Sequence, residues 1–380
     1  MAWFSAHEAG ARGRAADLMR RAEQTVPALG SWRTTPQGGP WHCEGPVLAD
    51  HVARILAGLF VIESGASLAD IEEFAREKDL RLDIASLEAT LRTHATFLAA
   101  FALVHDAAKP GTTSFDAPQD SRGAKEGFAV RKRDPSHPAT AAECVRYDKL
   151  RRAYAAAHPG DTIDAMQGFY EECRIATHYI GHDTHGGSPE FAAVRHDVLA
   201  LLGLPTSQAK LLAELVRYHI DVIQSFTKGP DAKKYEVMAA RAGKAGLNVG
   251  LFLDLMLAVL FLDAVVGSVG VADGAPVAQT DLVVNVLRAE RDAMPRRHAE
   301  REERAARAVK QAQKDALAAA GLDGESVFAL LGTPIGPERG EVMARVMATL
   351  ADPSHRPDFG PHTEEILRRA AHARTLLAAL

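Results

Sequence analysis

Cysteine is scarce: Cys43, Cys144 and Cys173 are the only three in 380 residues, odd in number and far apart. That excludes a disulfide framework and a zinc knuckle, and makes a reducing cytoplasm the expected setting. Charge of one sign is scarce too. With a formal net charge of -5, the chain lacks the global basic field that drives sequence-independent nucleic-acid binding, so any RNA contact has to be local. Long hydrophobic runs are missing. The most apolar stretch, LFLDLMLAVLFLDAVV at 251–266, is interrupted by Asp254 and Asp263 and reads as a core helix too short to span a bilayer. The N-terminal residues carry charges throughout with no continuous apolar segment, so neither a secretion signal nor a membrane partner is expected. Strand-like alternation is rare. A phosphate-binding GxxxxGK[ST] loop, GxGxxG, a GxSxG elbow and an HExxH zinc helix are all lacking, since HEAGA at 7–11 has no second histidine.

What is present is helix and histidine. Hydrophobic residues make up 47% of the chain, enough for a sizeable core. Apolar positions recur at three and four in LADHVARILAGLFVI (48–62), LEATLRTHATFLAAFALVHDAAK (87–109), AKLLAELVRYHIDVI (209–223) and the 251–266 run. The fold class predicted is all-α. Gly45-Pro46 leads into the helix carrying His51, Lys109-Pro110-Gly111 ends the one carrying His105, and Leu204-Pro205-Thr206 introduces the one carrying His219. An N-terminal helix and a Gly/Pro-rich loop (GSWRTTPQGGPWHCEG, 30–45) fill 1–43, and a main domain runs over 44–285. Within it, 122–152 holds nine Lys or Arg against four acids, with Arg131-Lys132-Arg133 read as a loop. That basic segment is either a clamp for RNA or nucleotide phosphates or ordinary solvated charge. Residues 286–320 read as one long helix of mixed charge, followed to 380 by two further helical patterns.

Five places put His or Asp on or beside apolar runs: His51, His105-Asp106, His182 in YIGHDTHGG, His219 and Asp263. A buried unpaired carboxylate costs several kcal/mol or shifts until neutral. A shared cation removes that penalty. Mixed imidazole and carboxylate ligation suits Mn, Fe, Co, Ni or Zn better than Ca, and ligands spread over several helices are how bundle cores hold one or two such ions. Asp254 competes with Asp263 for the last ligand position. Asp183 and His185 either orient His182 or form a plain turn, and His42, His94 and His178 read as structural.

The order His, His-Asp, Asp, with two histidines between, resembles the HD superfamily of metal-dependent phosphohydrolases. EGPVLADH, LVHDAAKPGTTSF, YIGHDTHGG and ELVRYHID are similar to blocks in the HD domain attached to bacterial CCA-adding tRNA nucleotidyltransferases, over about 44–266, with an insertion at about 120–176. Two departures stand out. The nucleotidyltransferase head with its paired aspartates is not present, so nucleotide addition is not implied, and Ala108 precedes Lys109 where the family prefers Gly. The Ala-Val-Val-Gly after Asp263 resembles the family's final helix and favours Asp263 over Asp254.

The resemblance implies an HD-domain helical bundle with an insertion and a C-terminal helical extension. It implies His51, His105, Asp106 and Asp263 as first-metal ligands, with Asp106 bridging to a second ion and His182 and His219 serving that ion or a phosphate. Lys109 either reaches a nonbridging phosphate oxygen or is a surface lysine at a helix C-terminus, where the dipole favours it. The activity implied is hydrolysis of a nucleotide or RNA-end phosphoester, such as a 2',3'-cyclic phosphate. Rival expectations are a di-iron oxygenase in the same ligand frame and a non-catalytic scaffold that self-associates through the charged 286–320 helix.

Overall fold

The computed structural model describes residues 8–128, 138–272, 275–277, 279–319, 323–331, 336, 338–351 and 362–377. It is 76% helical and 3% strand, which settles the class as an all-α helical bundle. Two compact units divide between Arg297 and His298, well beyond the expected boundary at 285.

The first unit begins with α1 (Glu8–Thr25), α2 (Leu48–Glu63), α3 (Glu72–Arg76), α4 (Arg81–Thr93) and α5 (Ala95–Val104). Then come β1 (Thr113–Asp116), α6 (Arg122–Lys125), α7 (Ala141–Ala157), α8 (Thr162–Cys173) and β2 (Ala176–Tyr179). It closes with α9 (His182–Gly186), α10 (Ala192–Leu201), α11 (Ala209–Phe226), α12 (Ala232–Lys244), α13 (Val249–Leu260), the short strands β3 (Gly270–Ala272) and β4 (Ala275–Val277), and α14 (Thr280–Ala293). The second unit holds most of α15 (Pro295–Ala319), then α16 (Gly324–Leu331), α17 (Glu338–Ala351) and α18 (Thr363–Leu377).

The expected single helix over 286–320 is two. Pro295 lacks the N–H that an interior position needs, so α14 stops at Ala293 and a new helix starts with proline in its first turn. Nor is α14 a solvated face throughout, since Leu282, Val283, Val284, Val286 and Leu287 are buried. Among the described residues the tail after it has three helices rather than two.

Two helices sit at the centre of the first unit because they are apolar on every side: α5 is buried from Phe97 to Val104, and α13 from Leu255 to Leu260. α2 packs on α5, and α11 packs on α9, α5 and α13. α13 continues as a π-turn over Phe261–Gly267. The resulting 19-residue helix, Val249–Gly267, is longer than the run read from sequence and is long and apolar enough by composition to cross a membrane, yet 78% of its most apolar window lies inside the fold. It is a core helix here.

The insertion has a hydrogen-bonded base. β1 and β2 pair antiparallel in the register Thr113↔Tyr179 to Asp116↔Ala176, strands too short to show alternation in sequence. Above them, α7 starts with a reciprocal cap, Thr140 N donating to Glu143 Oε2 (2.8 Å) and Glu143 N to Thr140 Oγ1 (3.3 Å). Phe115, Phe128, Tyr147, Phe169, Cys173 and Ile175 form this module's own small core. Its basic side chains are largely engaged: Arg122 pairs with Glu172, Arg151 and Arg152 share Asp148, and Arg146 lies 4.7 Å over Phe128. Arg131, Lys132 and Arg133 fall outside the described residues.

Candidate metal centre

Five elements deliver the polar residues. His51 is on the first turn of α2, whose start is fixed by Val47 N donating to Asp50 Oδ2 (3.2 Å). His105 caps α5 and Asp106 follows it in the turn. His182 opens α9, His219 lies on α11 and Asp263 on the π-turn. Two close backbone approaches make the convergence. A Cβ on Gly187 would stand 2.8 Å from the Ala213 carbonyl oxygen, so glycine is what lets the end of α9 lie against α11. A Cβ on Gly267 would stand 2.5 Å from Ile55 Cγ1 and 2.7 Å from His51 Cε1, so only glycine lets the π-turn reach α2. The wider π-turn is also where helices often depart from regularity to present a functional side chain.

Six candidate ligands therefore meet in the interior, none more than 5% exposed. His51 Nε2 lies 3.4 Å from His105 Nε2 and 3.1 Å from Asp263 Oδ1. Asp106 stands between two groups: its Oδ2 is 3.1 Å from His105 Nε2 and 3.8 Å from His51 Nε2, while its Oδ1 is 3.1 Å from His182 Nε2 and 3.9 Å from His219 Nε2. Phe101 stacks on His105 with centroids 4.9 Å apart and closes one side with an apolar wall.

The tautomers follow from the outer hydrogen bonds. His105, His182 and His219 each set Nδ1 against a backbone carbonyl, of Ala102 (3.1 Å), Tyr179 (2.5 Å) and Val216 (2.6 Å). A carbonyl only accepts, so Nδ1 carries the proton and the Nε2 lone pair faces the cluster. His51 does likewise against the Glu44 carboxylate, at 3.1 Å. His105, His182 and His219 thus turn Nε2 towards the Asp106 carboxylate. Asp106 Oδ1 and the Nε2 atoms of His182 and His219 are buried with no hydrogen-bond partner, and Asp106 Oδ2 is met by the Lys109 ammonium at 2.7 Å. Orphaned acceptors at this density fit a cation, and these buried His/Asp groups could hold one: His51, His105 and Asp263 form one set with ligand atoms within 4.8 Å of one another, and Asp106, His182 and His219 another.

Without a cation the electrostatics are lopsided. Burial would raise the Asp106 carboxyl, but His105 and Lys109 hold it well below the usual range. Burial opposes ionisation of Asp263 as well, and His51 outweighs it. For His51, burial lowers the pKa, yet Asp263 and Glu44 reverse this and raise it to about 10. His219 is pushed down to about 3 by burial.

The remaining sequence candidates sort by position. Lys109 is not a surface lysine: it is 4% exposed, with Nζ 2.7 Å from Asp106 Oδ2 and 4.6 Å over the Tyr179 ring. Asp254 is not at the centre but pairs with Arg297 at 2.7 Å, because it lies on regular α13 before the π-turn. Tyr179, not Asp183 or His185, orients His182; His185 lies 3.3 Å from Glu190 at the surface. His178 sits in β2, 3.9 Å from Asp116. His42, read as structural, belongs to the periphery of the centre, its ring 5.3 Å from that of His51 and its Nδ1 2.9 Å from Glu44. Glu44 itself had no role assigned in the sequence reading. Its signals were its place at the head of EGPVLADH and directly before the Gly45-Pro46 that starts the His51 helix.

Fold and site together define an all-α helical bundle with a buried, mixed His/Asp centre suited to a metal ion. Comparison with protein-family models, curated proteins and solved structures finds no match for this chain.

Proposed function

We propose that the chain is a metal-dependent phosphohydrolase of the HD type, hydrolysing a phosphoester of a nucleotide or an RNA end such as a 2',3'-cyclic phosphate. The observation that supports this most is Asp106, whose two oxygens are divided between His51/His105 and His182/His219 as a carboxylate shared by two ion positions would be. His51, His105 and Asp263 would hold one divalent ion and His182 and His219 the other. Mn, Fe, Co, Ni or Zn fits a donor set of four imidazoles and two carboxylates. A bound ion of this kind lowers the pKa of water towards neutrality and offsets charge on a phosphoryl oxygen.

The chain's own groups supply the rest. Three imidazoles held by backbone carbonyls and one held by Glu44 keep Nε2 aimed inward, so little reorganisation accompanies the reaction. Lys109 sets its ammonium 2.7 Å from Asp106, suited to offset negative charge on a transferring phosphoryl group. Those basic residues of 122–152 that are not held in internal pairs would position phosphates of a longer substrate. The test is metal analysis of purified protein, wild type beside Asp106→Ala, followed by a chromogenic phosphodiester and then cyclic nucleotides, nucleotides and RNA ends. Turnover with Mn, Co or Ni that vanishes in Asp106→Ala supports the reading.

The histidine-rich donor set also favours a second reading, a di-iron oxygenase. Two irons per chain, an oxygen-dependent absorption change and no phosphoesterase turnover would establish it in place of the first.

A further inference from the structure

Glu44 is the most heavily bonded carboxylate near the centre, and it lies outside the six candidate ligands. Its side chain is 1% exposed. Oε1 accepts from His51 Nδ1 (3.1 Å) and Gln37 Nε2 (2.9 Å) and lies 2.9 Å from His42 Nδ1, itself 2.6 Å from Gln37 Nε2, while Oε2 accepts from Val269 N (3.0 Å). Three nitrogens crowd Oε1 and one meets Oε2. His42, Glu44 and His51 are also close enough to chelate an ion, but His51 Nδ1 has no lone pair to give one while its proton is donated to Glu44.

The same residue joins two parts of the chain far apart in sequence. Cys43 N donates to Val269 O (2.9 Å) beside the Glu44–Val269 bond, so the loop ending at residue 45 is tied to the segment leaving the π-turn. One residue upstream, Ser268 donates through both N and Oγ to Asp263 O, each at 2.9 Å. The loop is fastened elsewhere as well: Tyr179 Oη donates to Pro36 O (2.5 Å), Thr177 Oγ1 to Gly38 O (2.5 Å) and Tyr147 Oη to Gln37 O (3.3 Å).

We infer that Glu44 is a positioning residue for the metal centre: one oxygen turns His51 so that Nε2 faces the ligand cluster, and the other anchors the chain just past Asp263. Two ligands from different helices are thereby set by one buried side chain. The inference rests on the metal-centre reading for its functional meaning, but its geometry is independent of which metal binds. It does not depend on the reaction catalysed.

Glu44→Gln tests it with almost no change of shape. An amide offers one acceptor oxygen and a donor NH2, so in either orientation an N–H that Glu44 satisfied faces another N–H. Zinc or manganese affinity, measured by chelator competition on full-length protein, is expected to fall about 10–100-fold, the usual range for groups that orient ligands, while far-UV circular dichroism and Tm stay near wild type. Affinity within about twofold of wild type in a folded variant would overturn the inference. Nitrogen-15 and proton NMR of wild-type histidine provides a second measurement that needs no variant. A slowly exchanging His51 Nδ1–H, in chelator-stripped and zinc-loaded protein, is expected; an unprotonated Nδ1 overturns the proposal even if Glu44→Gln fails to fold. Should wild type take up no metal, the metal-centre reading falls, and the His51 proton still decides whether Glu44 holds that ring.

Discussion

At the scale of single residues, five of the six candidate ligands stood out as polar groups in or beside an apolar run, where burial without compensation is costly, and His182, in a Gly-rich turn, took its role from the family resemblance. Glu44 was not legible, because a carboxylate in a Gly/Pro-rich loop ordinarily faces water; its burial comes from Val269, 225 residues away. Lys109 and Asp254 show the same limit, since periodicity gives a face but not the neighbour that meets it. Asp263→Asn should weaken metal binding by more than about 100-fold, beyond what outer-shell changes cause, whereas Asp254→Asn, which loosens the Arg297 pair away from the centre, should leave it unchanged. Metal titration of the two variants separates them. In chelator-stripped protein the titrating groups also set a pH profile. His51, raised from 6.5 to about 10, contributes stability that is full below 6.5 and lost as pH climbs through 10. His219, lowered to about 3, stays neutral while the unfolded chain takes up a proton, so stability falls as pH drops from 6.5 towards 3. Asp106 and Asp263, both lowered, contribute above the ordinary value of 3.8 and lose that contribution in acid. Urea midpoints of stripped protein should therefore peak near pH 6.5. A steady rise from pH 6 to 9 would contradict this arrangement.

At the scale of elements, the long helices could be read from the three-and-four spacing of apolar residues, and the break at Pro295 carried its signal in plain view. The π-turn had none: Phe-Leu-Asp-Ala-Val-Val-Gly continues the pattern of α13, and the extra residue per turn arises from docking against α2. Gly267 makes that docking feasible. Gly267→Ala should cost about 1–3 kcal/mol through overpacking against Ile55 and His51, and it should lower metal affinity by moving His51. Paired thermal melts with and without excess zinc would show both effects. In the insertion, Tyr147 stacks on Phe115 at 4.7 Å and donates to Gln37 O, so Tyr147→Phe should keep the module folded and cost about 1 kcal/mol, read as a small shift in urea midpoint.

At the scale of the molecule, every candidate ligand and every residue that orients one lies in the unit Met1–Arg297. A chain ending at Arg297 is expected to keep its helical circular dichroism and its metal stoichiometry; loss of metal from a folded fragment would show that the remaining residues take part in the site. Added metal at 100 times its dissociation constant should stabilise the full chain by about 2.7 kcal/mol, readable from chemical unfolding.

The β1–β2 ladder closes the insertion on itself between Lys109 and His182, because Thr113 and Tyr179 are bonded partners. The bundle thus meets this module at a stem of fixed width, whatever lies above it. Lineages could lengthen, trim or recolour the helices beyond Asp116, and so change what is admitted, while the spacing between the flanking candidate ligands stayed as it is.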